Sequence, residues 1–196
     1  MIDNPTKFAD KFKIKSTRLQ NWNYSTPGFY FITICTYNHN NFFGKIINKK
    51  MELSKRGEIT KSELLKTFEI RKNIKLHEWV IMPNHVHILM EIKNQNNQHS
   101  KCRDVENKRR DVARYVSTIE ENSKNFSKIS PKPNTISSII RSFKSAVTRQ
   151  INPKTVFFAW QPRFHDQIIK DEKELLIVKN YIINNPINWQ KDKFYK

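Results

Sequence analysis

Aromatic and β-branched residues are concentrated in a few short runs along the chain. Residues 29–37 form the richest of these runs, which predicts a central β-strand. The runs at residues 76–82 and 85–92 are separated by a single Pro-Asn pair, and so short a connection predicts an antiparallel hairpin. A further short strand or a second hairpin is predicted within residues 42–53.

Apolar residues recur at helical spacing in three other stretches. The first covers residues 58–72, the second is capped by Asn134 or Thr135, and the third runs from about residue 171 to 184, just before a proline. Strands and helices alternate along the chain, which predicts an α+β fold with a small antiparallel sheet and helices packed on one face. The apolar face of the second helix consists of Ile136, Ile139, Ile140, Phe143 and Val147.

Composition changes sharply at two places, and these changes suggest how the chain is organised. Residues 1–27 form a basic, polar arm, and residues 28–190 have the patterning of one compact domain. Within that domain, residues 93–134 have few large apolar side chains and are predicted to be a long polar excursion. Residues 191–196 are predicted to be a C-terminal tail.

The charge of the chain indicates a polyanionic partner. Its 36 lysines and arginines face only 18 acidic residues, which leaves a net charge of +18. Nucleic acid is the first expectation and an anionic membrane surface the second. No apolar run reaches the ~18 residues that a membrane span needs, and no apolar signal core precedes the domain, so we expect a cytoplasmic protein. Cys35 and Cys102 lie far apart, which argues against a disulfide framework or a structural zinc site.

His85-Val86-His87 is the first candidate for chemistry. Side chains alternate along a strand, so both imidazoles point to one face and together could bind a divalent metal. Taken alone the pair is a weak signal, because such spacing also arises by chance. A histidine-triad hydrolase would require a third histidine at the position of Leu89, and no histidine has the Ser or Thr two residues later that two-histidine phosphoesterases need.

Tyr181 and Asn185 form the second candidate pair. They are four residues apart in the predicted last helix and therefore share one helical face. A tyrosine hydroxyl can attack a phosphodiester, and an asparagine carbonyl oxygen can complete a metal site. The structural alternative is a packed tyrosine, with an asparagine that ends the helix before proline.

The third candidate motif is the run Trp160-Gln161-Pro162-Arg163-Phe164-His165-Asp166. Arg163 could contact a phosphate or a base and the aromatic rings could stack on bases, although a structural aromatic corner explains the same residues equally well. His165 is expected to be structural or to support a metal ligand. The predicted DNA-binding residues are Trp160, Gln161, Arg163, Arg141 and Lys144, together with Arg109 and Arg110 in the polar excursion.

Taken in order, the segments 82–87, 160–166 and 181–186 resemble the signature set of the REP-associated tyrosine transposases. That family belongs to the HUH superfamily of single-strand nucleases, and the resemblance spans roughly residues 17–190. It implies a ferredoxin-like antiparallel sheet with helices on one face. Each motif is modest alone, but three in the same order are a strong signal.

The resemblance implies a role for each matching residue. His85 and His87 would be metal ligands, Asn185 would help to hold the metal, and Tyr181 would be the nucleophile. The expected cofactor is Mg²⁺ or Mn²⁺, a choice that rests on the resemblance because imidazoles alone do not select these ions. The implied reaction cuts single-stranded or hairpin DNA through a 5′-phosphotyrosine intermediate, with a monomer expected and a dimer as the alternative.

Three other functions compete with this interpretation, and the weakest of them is a purely structural RNA-binding protein. The first is a domesticated DNA-binding protein that no longer cuts, in which His85, His87 and Tyr181 would be dispensable. The second is a nickase of the replication-initiator or relaxase type, which often has a third histidine and can carry two catalytic tyrosines. The single Tyr181 followed by Asn185 favours the transposase type.

Overall fold

A computed structural model describes residues 25–93, 135–152 and 157–195, together with the backbone of two short paired strands near the N-terminus. The predicted contacts Arg109 and Arg110 and nearly all of the polar excursion lie outside the described residues. The strands are β1 (Lys7–Phe8), β2 (Lys11–Phe12), β3 (Gly28–Cys35), β4 (Gly44–Ile47), β5 (Lys50–Leu53), β6 (Ile74–Ile81), β7 (His85–Ile92) and β8 (His165–Ile169). The helices are α1 (Lys55–Glu69), α2 (Ile136–Ile151) and α3 (Glu172–Asn184).

The main sheet has four antiparallel strands in the order β6-β7-β3-β8. The central strand, the hairpin of residues 76–92 and all three predicted helices are present, with boundaries shifted by a few residues. Of the two alternatives for residues 42–53, the structure has the hairpin. Strand β8 was not predicted, because residues 165–169 mix polar and apolar side chains and the strand lies at an edge of the sheet. In the register of the sheet, Thr33 lies directly opposite both His87 and His165.

One face of the sheet carries the larger core. Tyr30, Ile32 and Ile34 of β3 are fully buried there, beside the alternate residues of β7. Helices α1 and α2 cover this face, and Thr135 caps α2 as expected. The apolar face predicted for α2 is buried in full, so the helical periodicity was interpreted correctly.

The opposite face of the sheet is covered in part by α3. Val178 and Ile182 pack there against Leu89 and Ile169. The α+β class and the antiparallel sheet are confirmed, but the prediction that the helices pack on one face is wrong for α3. The physical reason is that β3 is apolar on both faces, since Phe29 and Phe31 alternate with the core residues, so both faces must be covered. Among the described residues, no helix has the length and apolar character needed to cross a membrane.

Helix α1 closely approaches the backbone of Phe43, in the loop before β4, at Gly57, and this contact yields a stability prediction. A Cβ at this position would lie 2.2 Å from the backbone oxygen of Phe43. Alanine normally stabilises a helix relative to glycine, but here we expect Gly57→Ala to lower the free energy of unfolding by about 1–3 kcal/mol. Thermal denaturation checks this, with Ser62→Ala on the exposed side of α1 as the control, which should be neutral or stabilising. A stabilised Gly57→Ala variant would contradict the close approach.

Candidate functional site

Strand β7 places the two histidines of the His-x-His pair on one face of the sheet, as predicted. The side chains of His85 and His87 are 0% and 1% exposed. Their Nε2 atoms are 3.0 Å apart, so both ring nitrogens point to the same place. Two ligands of a divalent ion bound at about 2.1 Å lie about 3 Å apart when they are adjacent, which matches this separation.

The neighbouring residue Asn84 fixes the tautomer of His85. Its side-chain nitrogen donates to the backbone oxygens of His39, at 3.1 Å, and Phe194, at 2.7 Å, so its Oδ1 faces the ring of His85. The Nδ1 of His85 lies 2.8 Å from that oxygen and must donate to it. The Nε2 of His85 therefore carries a lone pair directed into the site, the arrangement that a metal ligand requires.

The ring of His87 is held from the neighbouring strand. Its Nδ1 lies 2.9 Å from the Oγ1 of Thr33, the residue of β3 that lies directly opposite His87. Burial lowers the pKa of His85 to about 3, with smaller contributions from the charges of His39 and Lys193. Burial and the proximity of His85 also hold the pKa of His87 well below its usual value, although Asp192 opposes this shift. Both rings are therefore neutral at pH 7, as metal binding requires.

Asp192 brings a carboxylate to the two histidines. It lies just after a short 3-10 turn, Trp189–Lys191, that follows α3. One ligand atom from each of His85, His87 and Asp192 can be chosen so that all three lie within 4.8 Å of one another. Asp192 was not among the predicted site residues, because residues 191–196 were predicted to be a C-terminal tail.

Helix α3 delivers Tyr181 to this cluster. The tyrosine hydroxyl lies 3.3 Å from Nε2 of His87 and 3.2 Å from Oδ2 of Asp192, and its side chain is 40% exposed. Its ring packs edge-on against Phe31, which stands on the same sheet face as His87. Burial raises the pKa of Tyr181 to about 12, and the charge of Asp192 and the hydrogen bond to it add to the shift. The hydroxyl is therefore protonated at neutral pH.

Asn185 lies one turn after Tyr181 and completes the cluster. Its Nδ2 donates to Oδ2 of Asp192 at 3.1 Å, while its Oδ1 is buried and has no hydrogen-bond partner. A buried carbonyl oxygen without a partner costs free energy unless a cation or donor occupies the space in front of it. Two imidazole nitrogens and a carboxylate form a donor set that fits a divalent metal ion, and Asn185 is hydrogen-bonded to that carboxylate.

The residues predicted to contact DNA occupy more varied positions. Trp160 packs its ring against Phe43, Phe143 and Phe158 and donates from Nε1 to the backbone oxygen of Lys144 at 3.2 Å. The ring is thus part of an aromatic cluster attached to the main core.

Lys144 is hydrogen-bonded to the backbone of the predicted DNA-binding motif at residues 160–166. Its ammonium group donates to the backbone oxygens of Gln161, at 2.7 Å, and Arg163, at 2.9 Å. Burial lowers its pKa to about 8, an effect that the nearby Cys35 opposes. The structure thus brings Lys144, Trp160, Gln161 and Arg163 together.

The side chains of Arg141, Arg163 and His165 are exposed. Arg163 has a left-handed backbone, with φ of 69°, at the turn before β8. His165 stands on the same sheet face as His87 and faces the ring of Phe194, with 6.4 Å between the ring centroids.

Comparison with other proteins places the chain in a family. No protein-family profile matches it. An uncharacterized protein of Haemophilus influenzae (strain ATCC 51907 / DSM 11121 / KW20 / Rd) is 36% identical over 182 residues, which cover 92% of each chain. The chain belongs to the family of this Haemophilus protein. Because the match extends over nearly the whole length of both, the two proteins share one architecture.

A solved structure shows which fold the family has. The structure of a REP-associated tyrosine transposase bound to a REP hairpin superimposes with a TM-score of 0.54 at 16% identity, covering 92% of this chain and 77% of that one. The chain therefore shares the fold of that transposase. A Deinococcus radiodurans structure superimposes with a TM-score of only 0.38 at 11% identity, over 86% of this chain and 97% of that one, and supports no further comparison.

Proposed function

We propose that this protein is a metal-dependent single-strand DNA endonuclease and strand transferase of the transposase type, with Tyr181 as its nucleophile. The observation that carries the proposal is the position of the Tyr181 hydroxyl, 3.3 Å from the Nε2 of His87. We call His85, His87 and Asp192 the donor cluster. A nucleophile beside a set of metal ligands is the arrangement that metal-assisted covalent cleavage of a phosphodiester uses. The net charge of +18 suits a nucleic acid substrate.

His85, His87, Asp192 and Asn185 would together hold Mg²⁺ or Mn²⁺. When bound, the ion would supply positive charge to a non-bridging oxygen of the scissile phosphate and help to orient it. Asn84 and Thr33 would keep the two imidazoles in position through their hydrogen bonds.

The reaction proposed for Tyr181 is an in-line transesterification. A bond forms between the tyrosine oxygen and phosphorus, and the bond between phosphorus and the 3′ oxygen of the preceding nucleotide breaks. The phenolic proton leaves along the hydrogen bond to Asp192, and the departing oxygen takes up a proton to become a 3′-OH. Because the 5′-phosphotyrosine linkage conserves the phosphodiester, the 3′-OH of another strand can reverse the step and join two strands.

The substrate proposed is single-stranded or hairpin DNA. Support comes from the shared fold, since the solved neighbour is a transposase bound to a REP hairpin. Labelled hairpin oligonucleotides and matched full duplexes, incubated with Mn²⁺ or with a chelator, test the proposal. We expect cleavage of the unpaired segments only, and only with metal. Tight binding without cleavage of any DNA would instead identify a domesticated binding protein.

The proposed role of Asp192 yields a prediction that does not depend on activity. Asp192→Asn keeps the size and one acceptor oxygen but removes the charge, so we expect Mn²⁺ affinity to fall by about tenfold or more. Titration calorimetry measures this, with Glu69→Gln as the control, because that exposed residue lies on α1 across the sheet from the site. Asp192→Cys should instead favour Cd²⁺, detected by thiolate-to-metal absorption beyond that of the parent protein. Unchanged Mn²⁺ affinity in Asp192→Asn would remove Asp192 from the ligand set.

A further inference from the structure

A concave site lies beside the donor cluster, between the β4–β5 hairpin and the C-terminal segment. Its volume is about 400 Å³, which is within the usual range for small-ligand pockets. The hairpin contributes Lys45, Asn48 and Lys49 to its walls. The C-terminal segment contributes Trp189, Gln190 and Tyr195 to the same cleft.

The cleft is connected to the candidate active site through Trp189. The indole of Trp189 lines the cleft and lies 5.9 Å from the ring of His85, measured between centroids. Pro83, the residue before the Asn84–His85 turn, also lines the cleft. A strand positioned for cleavage at Tyr181 could therefore place a neighbouring nucleotide in this cleft.

The hairpin brings positive charge to the rim of the cleft. Lys45 and Lys49 are exposed, and neither forms an ion pair with an acidic residue in the described part of the chain. Asn48 and Lys49 form a two-residue turn in which both have positive φ, 50° and 62°. Such turns strongly favour glycine at the second position, so lysine is held there against its backbone preference. Strain of this kind is typical of positions where the side chain has a function.

The other walls suit a nucleobase. Tyr195 is 49% exposed and meets Trp189 edge-on at 5.3 Å, so one aromatic surface remains available for stacking. Asn48 and Gln190 offer amide donors and acceptors for base edges. Lysine for phosphate, an aromatic ring for stacking and amides for base edges are together the features of a single-strand subsite.

We propose that this cleft binds one unpaired nucleotide of the DNA strand next to the scissile phosphate. The inference rests on the proposed function for the identity of the strand, and on the cleft itself for the contacts. Tyr195 stacks on the base, and Lys49 neutralises a phosphate at the rim. Tyr195 and Lys49 thus act on binding and position rather than on the bond that breaks.

Equilibrium binding separates the two contacts. Every variant carries Tyr181→Phe so that the DNA stays intact, and the probes are dT and dA homopolymers and an abasic deoxyribose-phosphate strand of equal length. We expect Tyr195→Leu to weaken binding of both homopolymers about tenfold and to leave binding of the abasic strand unchanged. Tyr37→Leu is the matched control, since Tyr37 is 43% exposed and does not line the cleft. Equal affinities in parent and Tyr195→Leu, or equal losses in both variants, would overturn the stacking assignment.

Lys49→Gly tests the contact between Lys49 and a phosphate, and it separates the loss of this contact from a loss of stability. Glycine relieves the left-handed strain, so we expect a higher melting temperature together with weaker binding of all three probes. The slope of log affinity against log salt should fall by about one. Lys50→Gln is the control, because Lys50 is exposed on the same hairpin but does not line the cleft. Unchanged binding and salt slope in Lys49→Gly would overturn the phosphate contact.

The proposed function can fail independently of the cleft. Adduct formation is measured separately, on protein that retains Tyr181. If no adduct forms but Tyr195→Leu and Lys49→Gly lose binding as expected, the cleft stands and the nuclease assignment falls. If adducts form and neither variant changes binding, only the cleft proposal is overturned.

Discussion

Tyr181→Phe is expected to abolish DNA cleavage and covalent adduct formation, by about 10⁴-fold or more. The substitution removes the oxygen that would form the bond to phosphorus and leaves the aromatic ring in contact with Phe31. The side chain is 40% exposed, so the lost hydrogen bonds to His87 and Asp192 should have little effect on folding. Denaturing gels of labelled DNA after incubation with Mn²⁺ measure the effect.

The matched control for this prediction is Tyr37→Phe. Tyr37 is similarly exposed but packs edge-on against Phe157, away from the donor cluster. Its variant should cleave as the parent does. An adduct that persists in Tyr181→Phe would show that another residue is the nucleophile, and the proposed mechanism would then be wrong.

His85→Ala is expected to eliminate Mn²⁺ binding and, with it, cleavage. The Nε2 of His85 is held toward the site by the hydrogen bond between Nδ1 and Asn84, and alanine removes this ligand entirely. DNA binding should largely survive, because lysines and arginines supply most of the affinity for phosphates. Calorimetric titration with Mn²⁺ and an electrophoretic DNA-binding assay measure the two effects separately.

Burial of His85 makes a second variant necessary. Alanine leaves a cavity at a fully buried position and will lower stability, whereas His85→Gln fills more of the space. His77→Gln is the control. His77 lies on strand β6, and its Nε2 is 2.7 Å from Oε2 of Glu91 on strand β7. Metal-dependent cleavage at the normal rate in a folded His85 variant would contradict the ligand assignment.

Much of the site could be predicted because it depends on local periodicity. Strand alternation alone placed His85 and His87 on one face, and both are buried there. Helical spacing alone placed Asn185 one turn after Tyr181, and the hydrogen bonds of both residues converge on Asp192. Such predictions need no knowledge of the tertiary structure.

Asp192 could not be found by the same reasoning. It lies in a short segment without regular periodicity, and its position depends on how the chain turns back after Pro186. Trp189 and Phe194 fix that turn by packing against the ring of His85, at 5.9 and 4.8 Å between centroids. The one available signal was this pair of large aromatic residues on either side of an acid, although the acid and Phe194 lay in the stretch predicted to be a tail.

The misplaced helix and the missing strand have a common cause. Both concern which surfaces of β3 need partners, and this is a property of the assembled sheet. Strand β8 pairs along Phe29–Thr33, and α3 covers the face to which Phe29 and Phe31 point. The pattern of β3 alone shows that it is central but not what lies on each side.

Mass spectrometry of the protein–DNA adduct tests the central claim most directly. The protein would be incubated with hairpin DNA and Mn²⁺, digested with nuclease and protease, and each peptide examined for a remaining nucleotide. The account predicts a 5′-phosphonucleotide on the tyrosine of the peptide that contains Tyr181, and on no other peptide. A nucleotide on a different residue, or cleaved DNA that carries a free 5′-phosphate without any protein adduct, would contradict it.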